Sequence, residues 1–203
     1  SSDLLTNKTV FENVAFALDA DRLDLLATSL ESRTPWTGLT SRRPLLTGMG
    51  SSAYAARTAA GWLRADGVEA IVELASSDPG WPGGPGHSAV LISASGGSAE
   101  TLERADRLHA GTQQVALVNR EESPLASHAD VVVPMLAGDE VGGVACRTYR
   151  HTLALLLALG RDPALVAQEC RHAADLTRTL LTDTTWLDAV DQALSPAETT
   201  YWI

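Results

Sequence analysis

Lysine is almost absent from this chain. Lys8 is the only one, and arginine supplies nearly all the positive charge. A Schiff-base or general-base lysine is therefore excluded from the body of the chain. Cysteine is scarce as well. Cys146 and Cys170 stand far apart, without metal-ligand spacing, so neither a disulfide framework nor a cysteine metal site is expected. That usage fits a reducing compartment, and a cytoplasmic protein is expected. No apolar run reaches the length of a membrane span, and the first residues lack the pattern of a signal peptide, so no membrane partner is expected. Basic charge is in deficit, with a formal net charge of −10. Non-specific nucleic-acid binding needs a basic footprint, so that class of partner is excluded. A small anion is not, because local backbone amides can outweigh net charge. No internal repeat appears at the periods of solenoids.

What the chain does have is apolar runs that end in glycine-serine turns. The strongest is Ala89-Val90-Leu91-Ile92 running into Ser93-Ala94-Ser95-Gly96-Gly97-Ser98. Leu102, Ala105 and Leu108 then share one helical face. This reads as a buried parallel strand, a tight loop and the start of a helix. Gly96 and Gly97 let a ligand approach the backbone, and Ser93, Ser95 and Ser98 add hydroxyls. Helix-start amides without partners make such a place fit for a phosphate. The plain alternative is an ordinary turn with Ser98 as N-cap. The spacing is not a dinucleotide fingerprint, and no cofactor is expected.

A second such turn, Gly48-Met49-Gly50-Ser51-Ser52, follows the short strand Leu45-Leu46-Thr47. The remaining pattern predicts strands at 69–75, 114–118 and 131–135. It predicts helices at 6–32, with a break near 19–21, and at 53–65, 142–159, 163–181 and 184–193. A short helical turn falls at 123–128. Residues 34–43 and the proline- and glycine-rich 78–87 read as loops. Strands alternating with helices mean a parallel sheet covered on both faces, with ligands beyond the carboxyl ends of the strands. Both glycine-serine turns lie at such ends. The last residues, 199–203, have strand composition.

Five short stretches carry a family resemblance, in order and at agreeing spacing from 44 to 159. They are Thr47-Gly48-Met49-Gly50-Ser51-Ser52, Glu73-Leu74-Ala75-Ser76, the Ser93–Thr101 stretch, Ala137-Gly138-Asp139-Glu140, and Gly143-Val144-Ala145-Cys146-Arg147-Thr148. The chain resembles the SIS (sugar isomerase) domain. Most closely it is similar to the first of the two SIS halves in the isomerase part of glucosamine-6-phosphate synthase-type proteins. The resemblance implies a three-layer αβα sandwich with a mainly parallel, flavodoxin-like five-stranded sheet. It implies a phosphorylated sugar as ligand, held by Ser52, Ser93, Ser95, Gly96, Gly97 and Ser98. It divides the chain into an N-terminal helix and loop at 1–43, a SIS domain at 44–160 and linker helices at 161–203, with a second SIS domain expected beyond Ile203.

Departures from the family pattern fall at Ala94, where a polar residue is usual, and at Gly97 and Ser98, where glutamate and threonine are usual. Arg147 and Thr148 stand where threonine and lysine are common. Two residues are catalytic candidates. Glu140 is either a base or a carboxylate that favours a helix start. His151 is either an acid/base group bordering the cleft or an ordinary helix histidine. The expected function is that of a phosphosugar-binding module of an aldose–ketose isomerase or sugar-amine deaminase type of protein. The alternative is a non-catalytic phosphosugar-sensing or assembly module. Apolar helices after residue 142, and family sites built between two SIS units, lead to the expectation of a homodimer.

Overall fold

A computed structural model describes residues 18–32, 35–37, 39, 43–140 and 146–194. The expected helix at 6–17, the start of the helix at 142 and the strand-like 199–203 lie outside the described residues. The elements are α1 (Ala20–Ser32), β1 (Leu45–Gly48), α2 (Gly50–Ala65), β2 (Ile71–Leu74), β3 (Ser88–Ser93) and α3 (Ala99–Arg107). They continue with β4 (Gln113–Val118), α4 (Pro124–His128), β5 (Val131–Pro134), α5 (Cys146–Leu157), α6 (Pro163–Thr182) and α7 (Thr185–Leu194). No helix among the described residues is long and apolar enough to cross a membrane.

The five strands form one all-parallel sheet in the order β2-β1-β3-β4-β5. The flavodoxin-like sandwich expected from the sequence is the observed fold. Alternation along the strands separates two cores, because successive side chains leave opposite faces. Leu46, Val90, Ile92, Val115 and Leu117 face α1, α2, α5 and α6, where Leu26, Leu63, Leu156 and Val166 meet them. Leu45, Ala89, Leu91, Ala116 and Val118 face α3 and α4, where Ala105, Leu108 and Leu125 meet them.

One crossover lacks its helix. Between β2 and β3 the chain runs through the Pro/Gly loop, and Trp81 supplies the apolar cover that a helix would give. An ion pair fixes that loop. Arg104 of α3, its side chain 3% exposed, donates to Glu73 Oε2 at 2.7 Å and to the Trp81 carbonyl at 2.8 Å. The Trp81 amide donates to the same Glu73 oxygen at 2.8 Å. Gly80 has no room for a side chain, since a Cβ there would lie 1.9 Å from the guanidinium.

The segments on either side of the sheet-bearing region come together. α1 packs along α6, more than 130 residues later in the chain. Arg178 pairs with Asp21 at 2.8 Å and also with Asp24, and Arg171 pairs with Glu31. Val166, Ala167 and Cys170 of α6 belong to the larger core. Trp36 donates its indole N–H to the Leu155 carbonyl at 2.7 Å and closes the same layer.

Candidate functional site at the switch point of the sheet

From β1 the chain crosses outward to β2, and from β3 it crosses the opposite way to β4. The carboxyl ends of β1 and β3 therefore splay their connections apart and leave a crevice, the usual ligand position in such sheets. Both glycine-serine turns are there.

The first turn is shorter than the sequence implies. α2 begins at Gly50, not near Ala53, so Ser51 and Ser52 sit in its first turn. Two glycines make this possible, for different reasons. Gly48 closes β1 on β3, and a Cβ on it would lie 2.6 Å from the Ile92 carbonyl oxygen. Gly50 has φ +51, a value that favours glycine. The N-cap is Met49, which offers no side-chain hydrogen bond. The other N-caps described do: Ser98 for α3, Ser123 for α4 and Asp162 for α6. The start of α2 thus has no side-chain cap at its positive end, and the Met49 carbonyl takes the Ser52 and Ala53 amides.

The β3–α3 loop is built differently. Ser93 is buried, and its carbonyl and hydroxyl oxygens accept from the Gly96 amide at 3.0 and 3.1 Å. Gly96 has φ +63 and lies against α4, where a Cβ would fall 2.0 Å from Ser123 Oγ. Its carbonyl accepts from the Leu125 amide at 3.0 Å. Gly97 is exposed, and its amide donates to Ser95 Oγ at 3.2 Å. Ser98 caps α3, accepting from the Thr101 amide at 3.4 Å, and donates its own proton to Glu100 Oε2 at 3.0 Å. The backbone amide of Glu100, then Ser98, hold that carboxyl below its ordinary range. Ser98 is an N-cap whose hydroxyl is engaged by Glu100 and by the amide and hydroxyl of Thr101.

A small cleft of roughly 10 Å³ opens at the crevice, lined by Ser51, Ser52, Ala94, Met135, Thr148 and neighbouring Tyr149 and Thr152 of α5. Of the residues the sequence singled out, Ser52 lines it directly. Ser93 turns its hydroxyl into the loop, while Ser95, Gly97 and Ser98 stand on the loop's outer side, exposed or half-buried. Typical small-molecule sites enclose about 300 Å³ or more, whereas this cleft has room for about one water, so its residues form only one wall of such a site.

Glu140 and His151 lie behind the cleft, bonded to its lining residues Thr148 and Met135. The Arg147 amide donates to Glu140 Oε1 and the Thr148 hydroxyl to Oε2, both at 2.6 Å. Both carboxylate oxygens are thus engaged by the first turn of α5. His151 is fully buried. Its Nδ1 lies 2.6 Å from the Met135 carbonyl. A carbonyl only accepts, so Nδ1 carries the proton and Nε2 is a bare acceptor, with no partner among the described residues. Burial lowers its pKa to about 4, against the raising effect of that carbonyl, so the ring is neutral at pH 7.

Sequence reasoning missed Asn119. It follows β4, donates to the Gly138 carbonyl at 2.7 Å and accepts from the Ala137 amide at 2.9 Å, and so fixes the connection that carries Glu140. A polar residue closing the apolar Val115–Val118 run was its signal. Thr148 and Thr152, one helical turn apart, were a second. Among the described residues no three His, Cys, Asp or Glu side chains are grouped to hold a metal ion.

Comparison with known proteins agrees with this architecture. The SIS domain profile matches residues 40–160. The glutamine–fructose-6-phosphate aminotransferase (isomerizing) of Zymomonas mobilis is 29% identical over 180 residues, covering 80% of this chain and 29% of that protein. The chain therefore spans about three-tenths of the length of the curated relatives it matches along most of its course. Among solved structures, the C-terminal domain of glucosamine-fructose-6-phosphate aminotransferase from Francisella tularensis superposes with a TM-score of 0.66 at 17% identity, covering 94% of this chain and 59% of that one. Tagatose-6-phosphate ketose/aldose isomerase from Escherichia coli gives 0.61 at 21% identity, covering 87% and 54%. With the profile spanning more than half of its residues, the chain belongs to the SIS domain family.

Proposed function

We propose that this chain is a phosphosugar-binding module of a sugar isomerase-like protein, of the aldose–ketose isomerase or sugar-amine deaminase type. One observation carries the reading. The start of α2, which lacks a side-chain cap, and the hydroxyl-rich β3–α3 loop converge at the switch point of the sheet. A phosphate there accepts from the first amides of α2 and from the Ser95 and Ser98 hydroxyls, as anions do at helix starts. The Ser98 proton must leave Glu100 to do so. Ser52 is the donor offered to the sugar hydroxyls, and the Thr148 and Thr152 oxygens, their protons directed to Glu140 and Met135, accept from them. Ser93, Gly96 and Gly97 shape the loop.

Aldose–ketose isomerisation moves a proton between adjacent carbons by way of a base, with the developing oxyanion held by donors. Glu140 is engaged on both oxygens by α5, and His151 is buried with one nitrogen committed. In this reading they position α5 and the end of β5, and the base comes from a second unit across the partial cleft. That unit is a second copy in a cytoplasmic homodimer, or a further domain of the same chain. Exposed Tyr54, Trp62, Leu165 and Leu176 are the surface for it.

The alternative, a non-catalytic sensing or assembly module, is favoured by one fact: among the described residues no carboxylate or histidine lines the cleft. Calorimetry with fructose 6-phosphate and glucosamine 6-phosphate, run beside a turnover assay on the same samples, separates the readings. Binding with turnover supports the isomerase type. Binding without turnover supports the sensor. No binding of either sugar counts against both.

A further inference from the structure

We propose that Arg147 is a positioning residue, one that ties the backbone just ahead of α1 to the shape of the cleft. The inference rests on the phosphosugar reading of that cleft. Arg147 lies in the first turn of α5 and is 4% exposed. Its amide donates to Glu140 Oε1. Its guanidinium donates to Asp19 Oδ2 at 2.9 Å and to the Asp139 carbonyl. One side chain thus joins three segments: the residues before α1, the β5–α5 connection and α5 itself.

Two further arginines bind the same seam. Arg150 donates to the Leu18 carbonyl. Arg22 lies against Gly138, where φ is +69 and a Cβ would fall 2.8 Å from Arg22 Nε. Asp19 has φ +23, a value uncommon for a residue with a side chain. Removing its carboxylate charge weakens the hold on a buried guanidinium, whose charge is costly to leave less well paired.

The next residue carries the effect to the ligand. Thr148 donates to Glu140 Oε2 and lines the cleft with Ser52. Arg147, Glu140 and Thr148 form one hydrogen-bonded unit, so a shift of Arg147 moves the Thr148 hydroxyl relative to Ser52. The phosphate donors of the β3–α3 loop are one step further from this shift: they rest on β3 and α4 and meet the Glu140 connection through Asn119, whose amide donates to the Ala94 carbonyl at 3.0 Å. The start of α2 is nearer, since α2 packs directly on α5.

Two probes test this by calorimetry: fructose 6-phosphate and inorganic phosphate. The variants are Asp19→Asn, Arg147→Gln, the pair combined, and Arg147→Lys. Asp19→Asn keeps the side-chain shape, and it decides the matter if Arg147→Gln does not fold. The expected result is that each single variant weakens fructose 6-phosphate by about tenfold, the size of one lost charge-assisted hydrogen bond. Inorganic phosphate is weakened less than fructose 6-phosphate, the double variant is no worse than either single one, and Arg147→Lys recovers part of the loss. Unchanged fructose 6-phosphate affinity overturns the inference. So do additive losses, or equal losses for both probes that track the thermal midpoint, the mark of a merely structural pair. Wild-type protein that binds neither probe overturns the phosphosugar reading, and this inference with it.

Discussion

Two adjacent glycines in the β3–α3 loop have different physical duties. Gly96 combines a positive φ with contact against Ser123, so Gly96→Ala is expected to destabilise the fold by roughly 2 kcal/mol through overpacking and strain. Gly97→Ala is expected to cost little, since its nearest neighbour would be Ser95 Oγ at 3.9 Å. Chemical denaturation of the two variants side by side checks this, and equal costs would contradict it. Ser98 permits a sharper separation. Asp is as good an N-cap as Ser, so Ser98→Asp keeps α3 intact. It also puts a charge beside Glu100 at the crevice mouth. The thermal midpoint is expected to hold while phosphate affinity is lost. A variant that melts early, or still binds phosphate normally, goes against the site as drawn.

At the scale of elements, buried polar groups anchor α5 behind the cleft and, on the opposite face of the sheet, the β2–β3 connection. His151 makes the first of these sensitive to acid. The folded ring is held down to about 4 by burial, whereas an unfolded histidine titrates near its ordinary 6.5. The unfolded chain therefore takes up a proton that the folded one refuses. Stability is full above pH 6.5, falls as the pH drops towards 4, and levels off below it. The loss reaches roughly 3 kcal/mol. Urea melts from pH 7 to 4 on wild type and His151→Gln check it, since the variant is expected to lose that portion of the slope. In the β2–β3 connection, Arg104→Met leaves Glu73 and the Trp81 loop without their partner. A loss of roughly 3 kcal/mol is expected, as when one partner of a buried pair is removed. Denaturation of that variant with no measurable loss would show the loop to be held by Trp81 packing alone.

These anchors mark the limit of what the residues alone disclose. The sheet was legible because Ala89–Ile92, Gln114–Val118 and Val131–Met135 are strand-length apolar runs separated by helix-length amphipathic ones. The crevice was legible because two glycine-serine turns followed such runs. The start of α2 was misplaced by three residues, because serines usually cap helices and here Met49 does. The partners of Glu140 lie seven and eight residues ahead across a connection, out of reach of local pattern. The pairing of α1 with α6 depends on contacts across most of the chain, which no window of sequence contains.

For the whole molecule, the central claim is that a phosphorylated sugar binds where the sheet reverses its winding. The most direct measurement is an amide-resolved NMR titration of the labelled protein with fructose 6-phosphate. The account predicts saturable shifts at Gly50, Ser51, Ser95, Gly97 and Thr148, with α6 unchanged. No shifts at millimolar sugar phosphate, or shifts gathered on α6 and α7 instead, would contradict it.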